Sequence, residues 1–496
     1  MPSKKGTGKK KPGGTSKKST REDNREKLEL DMDDREKLDR FNALLKEGNA
    51  VLQRGDTRSA LAKCEEARSC ARTIRDAGLA RKAEDAASKC IDQAGNREKY
   101  IRAVALLNDG HILDDRGDVY GALAKYEECG ACGRTIRDAG LARKVECAVL
   151  DSLGNAYFLL GQYAKAIEHH DQALVIALEF GLRVLEGSTL GSLGNAYDAL
   201  GQHDKAIAHH SQSLAIKREI GDRPGESKSL GNLGLAYNSL GQHDKAIMHN
   251  EQALVISREI GDRMGEGKRL GGLGLTYSSL GQCDKAITHY DQALVIAREF
   301  GNRMDEGKRL DNLGISYCHL EHYADAITHH DQALVIAREL GDRQLEGHVL
   351  GNLGNAYASL EQFDKAITHF EQALVIAREI GDRASEGASL GNLGTAYGSL
   401  KRHADAIELC DQALVIAREI GDRQLEGQCL GNIGDVHYCL GQYDKAITHH
   451  DQALVIAREI GDRRLGDQCL VNIGNVHRAL GHSSTPPLPQ RVEVLD

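Results

Sequence analysis

A unit of 40 residues recurs almost without drift from about residue 149 to residue 480, and Leu153, Leu193, Leu233, Leu273, Leu313, Leu353, Leu393, Ile433 and Ile473 hold the same place in it. A fixed period of about 20 to 50 residues marks a solenoid, in which one unit cannot bury its apolar face alone and must stack on its neighbours. Function is therefore expected on an extended binding surface and not in an active-site cleft.

The periodicity inside one unit predicts two helices. In residues 187 to 226, Leu190, Leu193, Ala196, Tyr197 and Leu200 follow the i, i+3, i+4, i+7 spacing of an amphipathic helix A. Gly201 and Gln202 make the turn, and Ala206, Ile207, Leu214 and Ile216 to Ile220 supply the buried stripe of helix B. Gly221 is expected to end helix B in the left-handed conformation, and Asp222 to cap the next helix A. The Gly-Asp-Arg triplet returns at 261, 341, 381, 421 and 461 and reads as a hinge without a binding role.

Composition narrows the partners. Trp is absent and aromatics are 4%, so the core must come from Leu, Ile, Ala and Gly. A net charge of −9 argues against nucleic acid and anionic membrane, which need a basic face. No apolar run approaches the roughly 20 residues that span a bilayer, and no signal-peptide core follows Met1, so a cytoplasmic protein is expected. The 12 cysteines are scattered over repeat columns, the pattern of buried reduced thiols and not of a disulfide framework.

Four segments follow. Residues 1–22 form a basic, disordered tail with seven lysines and no acidic residue in its first 20 positions. Residues 23–145 carry two divergent helical hairpins with a helical segment between them, because Thr73 to Lys82 reappears 62 residues later as Thr135 to Lys144. Residues 146–480 are the regular array of eight full units and a ninth helix A. Residues 481–496 are a Pro-rich tail, so that the last helix A is expected to lack its usual cover. In that tail Pro486, Pro489 and Arg491 fit the PxxPxR form read by SH3 domains.

The combination of Leu193-Gly194, Tyr197, Ala206 and Ala253 resembles the tetratricopeptide repeat (TPR) signature, which implies an all-α, right-handed superhelix of antiparallel helix pairs. Gly194 and Ala206 are small where helices A and B touch, Tyr197 fills the space between them, and Ala253 lets the next helix A approach. Units reading Leu-Gly-Asn-Leu-Gly-Asn-Ala-Tyr, then Gly-Gln-x-Asp-Lys-Ala-Ile, then Ile-Ala-Arg-Glu-Ile-Gly-Asp-Arg are most similar to the Pins/LGN spindle-orientation scaffolds. That resemblance implies a concave channel for an extended partner peptide. The GoLoco motifs of those scaffolds have no counterpart here, and G-protein regulation is not carried over.

Partner choice is expected where repeats differ on helix A. One column reads Ser192, Asn232, Gly272, Asn312, Asn352, Asn392, Asn432 and Asn472, whose amides either hold the backbone of an extended peptide or bond to a neighbouring helix or to water. Three residues on, Asn195, Leu235, Leu275, Ile315, Asn355, Thr395, Asp435 and Asn475 predict an apolar middle with polar ends. Lys228, Lys268, Arg269, Lys308 and Arg309 cluster in the first turns of three A helices and suit an acidic peptide, unless they offset Glu226, Glu266 and Glu306.

Catalysis is not expected. Successive His residues such as His209 and His210 diverge by about 100° on a helix, and stacked equivalents lie about 10 Å apart, so no metal is predicted. Cys129 and Cys132 lack a second pair. No cofactor is implied. The reading is a peptide-binding scaffold, with work in cell polarity or the cytoskeleton carried by the resemblance. A sensor subunit of a signalling enzyme on another chain and a self-assembling protein are the alternatives.

Overall fold

The structure, a computed structural model, describes residues 32–480. Among the described residues there are 21 α-helices and no strand. Contacts divide the chain into two compact units, Met1–Ser192 and Leu193–Asp496.

The first unit contains α1 (Met32–Gln53), α2 (Thr57–Ala71), α3 (Ala77–Asp115), α4 (Val119–Gly133), α5 (Ala139–Leu159) and α6 (Tyr163–Glu179). The helical segment expected between two hairpins is continuous with the next helix, giving the 39-residue α3. Asp76 and Asp138 begin α3 and α5 by accepting from the backbone N–H groups of Leu79 and Leu141, both at 2.8 Å. The cysteine expectation needs one correction. Cys64 of α2 and Cys90 of α3 form a disulfide, because the packing of those two helices brings their sulfurs together, while ten other cysteines are free. Cys129 and Cys132 donate instead to the Ala103 and Lys99 carbonyls of α3 at 3.0 and 3.5 Å.

The helix α7 (Arg183–Ala199) contains the division between units. The second unit continues with α8 (His203–Glu219), α9 (Arg223–Ser239), α10 (His243–Glu259), α11 (Arg263–Ser279), α12 (Cys283–Glu299), α13 (Arg303–His319) and α14 (Tyr323–Leu340). It ends with α15 (Arg343–Ser359), α16 (Phe363–Ile380), α17 (Arg383–Ser399), α18 (His403–Ile420), α19 (Arg423–Cys439), α20 (Tyr443–Ile460) and α21 (Arg463–Ala479). From α9 onward the odd-numbered helices are A and the even-numbered ones B. Each helix packs on the next, and each helix A touches the following helix A, as in α9 with α11. This is an all-α solenoid.

Local chemistry sets the corners. Gly221 sits at φ +71°, the left-handed region that glycine enters without steric cost. Asp222 then accepts from Gly225 N at 2.9 Å, capping α9. Inside each hairpin, glycine makes room for the partner helix: a Cβ on Gly194 would lie 2.5 Å from His210, and one on Gly434 would lie 2.7 Å from His450. Tyr290 and Phe370 fill the equivalent sockets over Gly274 and Gly354.

The Gly-Asp-Arg arginine does more than mark a hinge. Glu226, buried in the first turn of α9, accepts from Arg218 at the end of α8 at 2.8 Å and from Arg223 at 2.7 Å. Arg223 also reaches Glu259 at the end of α10. The same arrangement recurs around Glu266, Glu306, Glu346, Glu386 and Glu426. Burial raises the pKa of Glu306, and hydrogen bonds from Arg298 and Arg303 outweigh it, so the carboxyl titrates below its usual range.

Replacing Glu306 by Gln should lower stability by about 2 kcal/mol, the scale of hydrogen bonds to a charged group, since the arginines stay half solvated. The equally placed but unpaired Lys308→Ala should leave the melting temperature within about a degree, and equal losses in the two variants would refute the assignment. Acid should also act through the sockets. Burial lowers the pKa of both His210 and His450 to about 4 from 6.5, so the unfolded chain binds more protons between those values. Stability present above pH 6.5 is then lost as pH falls toward about 4. Thermal melts from pH 7.5 to 4 should show a shallower slope for His210→Asn, which copies the Asn250 socket, than for wild type.

Candidate functional site

The face built by the A helices of the second unit carries most of the residues expected to bind a ligand, and their surroundings differ. In the amide column, Asn232 donates to Asn195 Oδ1 at 2.9 Å, Asn352 to Asp311 Oδ1 at 3.1 Å and Asn432 to Thr395 Oγ1 at 2.9 Å. These amides tie each helix A to the one before it. Asn312, Asn355 and Asn392 make no side-chain hydrogen bond among the described residues. Asn355 is exposed, and Asn312 and Asn392 are half-buried. On the preceding A helices, α9 and α11, the column of variable polarity leaves Leu235 40% and Leu275 39% exposed.

The cations separate into two groups. Lys228, Lys268 and Lys308 are exposed, and among the described residues no carboxylate lies within 4.0 Å of them. Glu226, Glu266 and Glu306 are engaged by arginines, so they do not offset these lysines. Arg269 and Arg309 instead lie back over Gly231 and Gly271 of the preceding helix A, in the space a Cβ would take. Burial lowers the pKa of both guanidiniums. Neither has an ion-pair partner among the described residues. Other units put Ser229, Val349, Ser389, Cys429 or Cys469 in that place, all buried.

The column of B-helix histidines is structural. His209 stacks on Tyr197 at 5.2 Å between ring centroids and 1° between planes, and His249, His289, His329 and His369 repeat this on Tyr237, Tyr277, Tyr317 and Tyr357. Lysines such as Lys205 cover the same tyrosine at 5.1 Å. Among the described residues no three His, Cys, Asp or Glu side chains converge to hold a metal.

One part of this face was not read from the sequence as a site. Gly394, Thr395, Gly398, His403, Asn432, Asp435 and Cys439 line a cavity of about 250 Å³ between α17, α18 and α19. Its signal was Gly398, which breaks a column occupied elsewhere by Asp198, Asn238, Ser278, Cys318 and Ala358. The SH3-ligand candidates Pro486, Pro489 and Arg491 and the basic tail of residues 1–22 lie outside the described residues. No helix among the described residues is long and apolar enough to cross a membrane.

Comparison with known proteins agrees with this architecture. No curated protein matches the chain at a significant level. Among solved structures, the chain is similar to a signal transduction ATPase with numerous domains carrying a tetratricopeptide repeat sensor, from Pyrococcus horikoshii. The identity is 15%, 78% of this chain and 57% of that one are covered, and the TM-score is 0.56. The apo quorum sensor NprR from B. thuringiensis is 14% identical, with 76% and 98% covered and a TM-score of 0.52. A Rap protein complexed with Competence and Sporulation Factor is 15% identical, with 77% and 99% covered and a TM-score of 0.51. At these identities the likeness concerns the fold. The tetratricopeptide repeat model matches residues 145–219, 225–299, 309–379, 385–459 and 430–485, and the chain belongs to the tetratricopeptide repeat family.

Proposed function

We propose that the protein is a non-catalytic scaffold whose A-helix face in the second unit binds an extended peptide segment of another protein. The observation that carries this is unspent binding capacity along one face: the free amides of Asn312, Asn355 and Asn392 on α13, α15 and α17, preceded by the exposed Leu235 and Leu275 on α9 and α11. An amide offers both a donor and an acceptor to a peptide backbone, so a row of them accepts an extended chain whatever its side chains. The unpaired Lys228, Lys268 and Lys308, with Arg269 and Arg309 behind them, favour an acidic stretch of that peptide over the first three of these A helices.

Two features support the class of ligand. Membership of the tetratricopeptide repeat family supports an interaction module. A Rap protein of similar fold has been solved with Competence and Sporulation Factor bound, and sensor proteins share the same architecture. A polarity or cytoskeletal adaptor is the finer reading, and it rests on the resemblance of the repeat motifs to the Pins/LGN scaffolds. A sensor subunit acting on a separate signalling enzyme is the second reading, favoured by the tetratricopeptide repeat sensor attached to the archaeal ATPase.

Changing Asn312, Asn355 and Asn392 together to Ala should leave helicity and melting nearly unchanged, because none of these side chains bonds within the protein. Binding should weaken about tenfold or more for partners captured by the wild-type chain and then assayed as purified peptides by fluorescence anisotropy. Equal affinity of the triple variant for every such peptide would overturn the groove assignment.

A further inference from the structure

In two units the first residue of helix B is a histidine held by an acceptor on the preceding helix A. His203 Nδ1 lies 2.7 Å from Asp198 Oδ1, and His243 Nδ1 lies 3.0 Å from Asn238 Oδ1. In the unit of α17 and α18 that acceptor is replaced by Gly398, and His403 Nδ1 is buried with no hydrogen-bond partner. The missing side chain opens the cavity of about 250 Å³ described above. At roughly 30 Å³ per water, this is room for about eight waters or for one long side chain.

The polar residues lining this space include Thr395, His403, Asn432 and Asp435. Asp435 receives Asn472 at 2.7 Å and lies 3.5 Å from His450 Nε2, both through Oδ1, which leaves Oδ2 unengaged. Gly394 and Gly398 supply a floor without side chains, and the buried Val436 supplies an apolar wall for an aliphatic stem.

We propose that this cavity is a binding pocket for a basic side chain, lysine or arginine, whose N–H donors are received by the free Oδ2 of Asp435. A cationic ligand would engage the free carboxylate oxygen through a charge-assisted hydrogen bond. The delivery of that side chain by a peptide rests on the proposed groove, whereas the pocket itself does not. Together they define a ligand with acidic residues toward α9 to α13 and a basic residue toward α17 to α19.

Cys439 lines the cavity and is exposed, which makes it a built-in reporter. Alkylation of the full chain by iodoacetamide, followed at Cys439 by peptide mass spectrometry, should slow at least threefold with saturating N-acetyl-lysine N-methylamide or its arginine counterpart. The norleucine amide, which keeps the four-carbon stem and lacks the ammonium, should have no effect. Gly398→Asp should remove the protection although it adds negative charge, because it returns an acceptor to His403 and fills the space. A Cβ there would meet Val436 at 3.6 Å, an ordinary contact, so this variant should fold. Asp435→Asn should raise the half-protecting concentration at least tenfold. Equal slowing by lysine and norleucine amides, no slowing by either cation, or protection that survives Gly398→Asp would overturn the pocket. None of these outcomes bears on the amide column, which the triple Asn variant tests separately.

Discussion

At six successive steps of the array, a buried glutamate in the first turn of helix A is shared by two arginines, one from the helix B before it and one from its own helix. The second arginine also reaches the end of the following helix B, as Arg303 reaches Glu339. Apolar columns such as Leu230, Leu233, Leu270 and Leu273 supply the energy of stacking, because each is nearly inaccessible only when its neighbour is present. Apolar contact is non-directional, however, and leaves rotation between units poorly specified. A carboxylate held from two sides fixes that rotation. Every column on the A-helix face depends on it, since side chains 40 residues apart line up only if each step repeats the last.

With the steps fixed, the face divides into positions spent on the fold and positions left over. The rings of His210, Tyr290 and Phe370 are spent filling glycine sockets, and the stacked pairs of Tyr197 and His209 close the space between helices. Asn232, Asn352 and Asn432 are partly spent, each donating to the preceding helix A. Asn312, Asn355, Asn392, Leu235 and Leu275 are not. The two roles alternate within one column, so a residue type alone does not assign the role.

That alternation limits how much of the site was legible in the sequence. The fold was readable because its determinants are local: apolar spacing, Gly221 in the left-handed region, and Asp222 as a cap. The arginine of Gly-Asp-Arg was read only as part of a hinge because its partners are three residues ahead on one side and 36 residues ahead on the other. Pattern reading left Glu226 and its equivalents as possible partners of the nearby lysines, whereas arginines hold them. The 39-residue continuity of α3 was obscured because its copies of the Thr-Ile-Arg-Asp motif invite a break between hairpins. The Cys64 and Cys90 pair joins two helices whose approach depends on that same long helix.

Near-identity of the repeats is itself informative about what remains. Where eight units solve the same packing problem with the same residues, the solution is known, and a departure is not needed for folding. Gly398 gives up a hydrogen bond that Asp198 and Asn238 supply in other units. Arg269 and Arg309 put cations where other units put small or apolar residues such as Ser229 and Val349. Each departure costs stability by the ordinary penalties of unpaired polar groups. An array that carries such costs at a few defined steps, on the one face where capacity is also left unspent, is organised for a ligand that changes character along its length. The repeat supplies a ruler of identical steps, and the departures mark where on that ruler each kind of side chain is read.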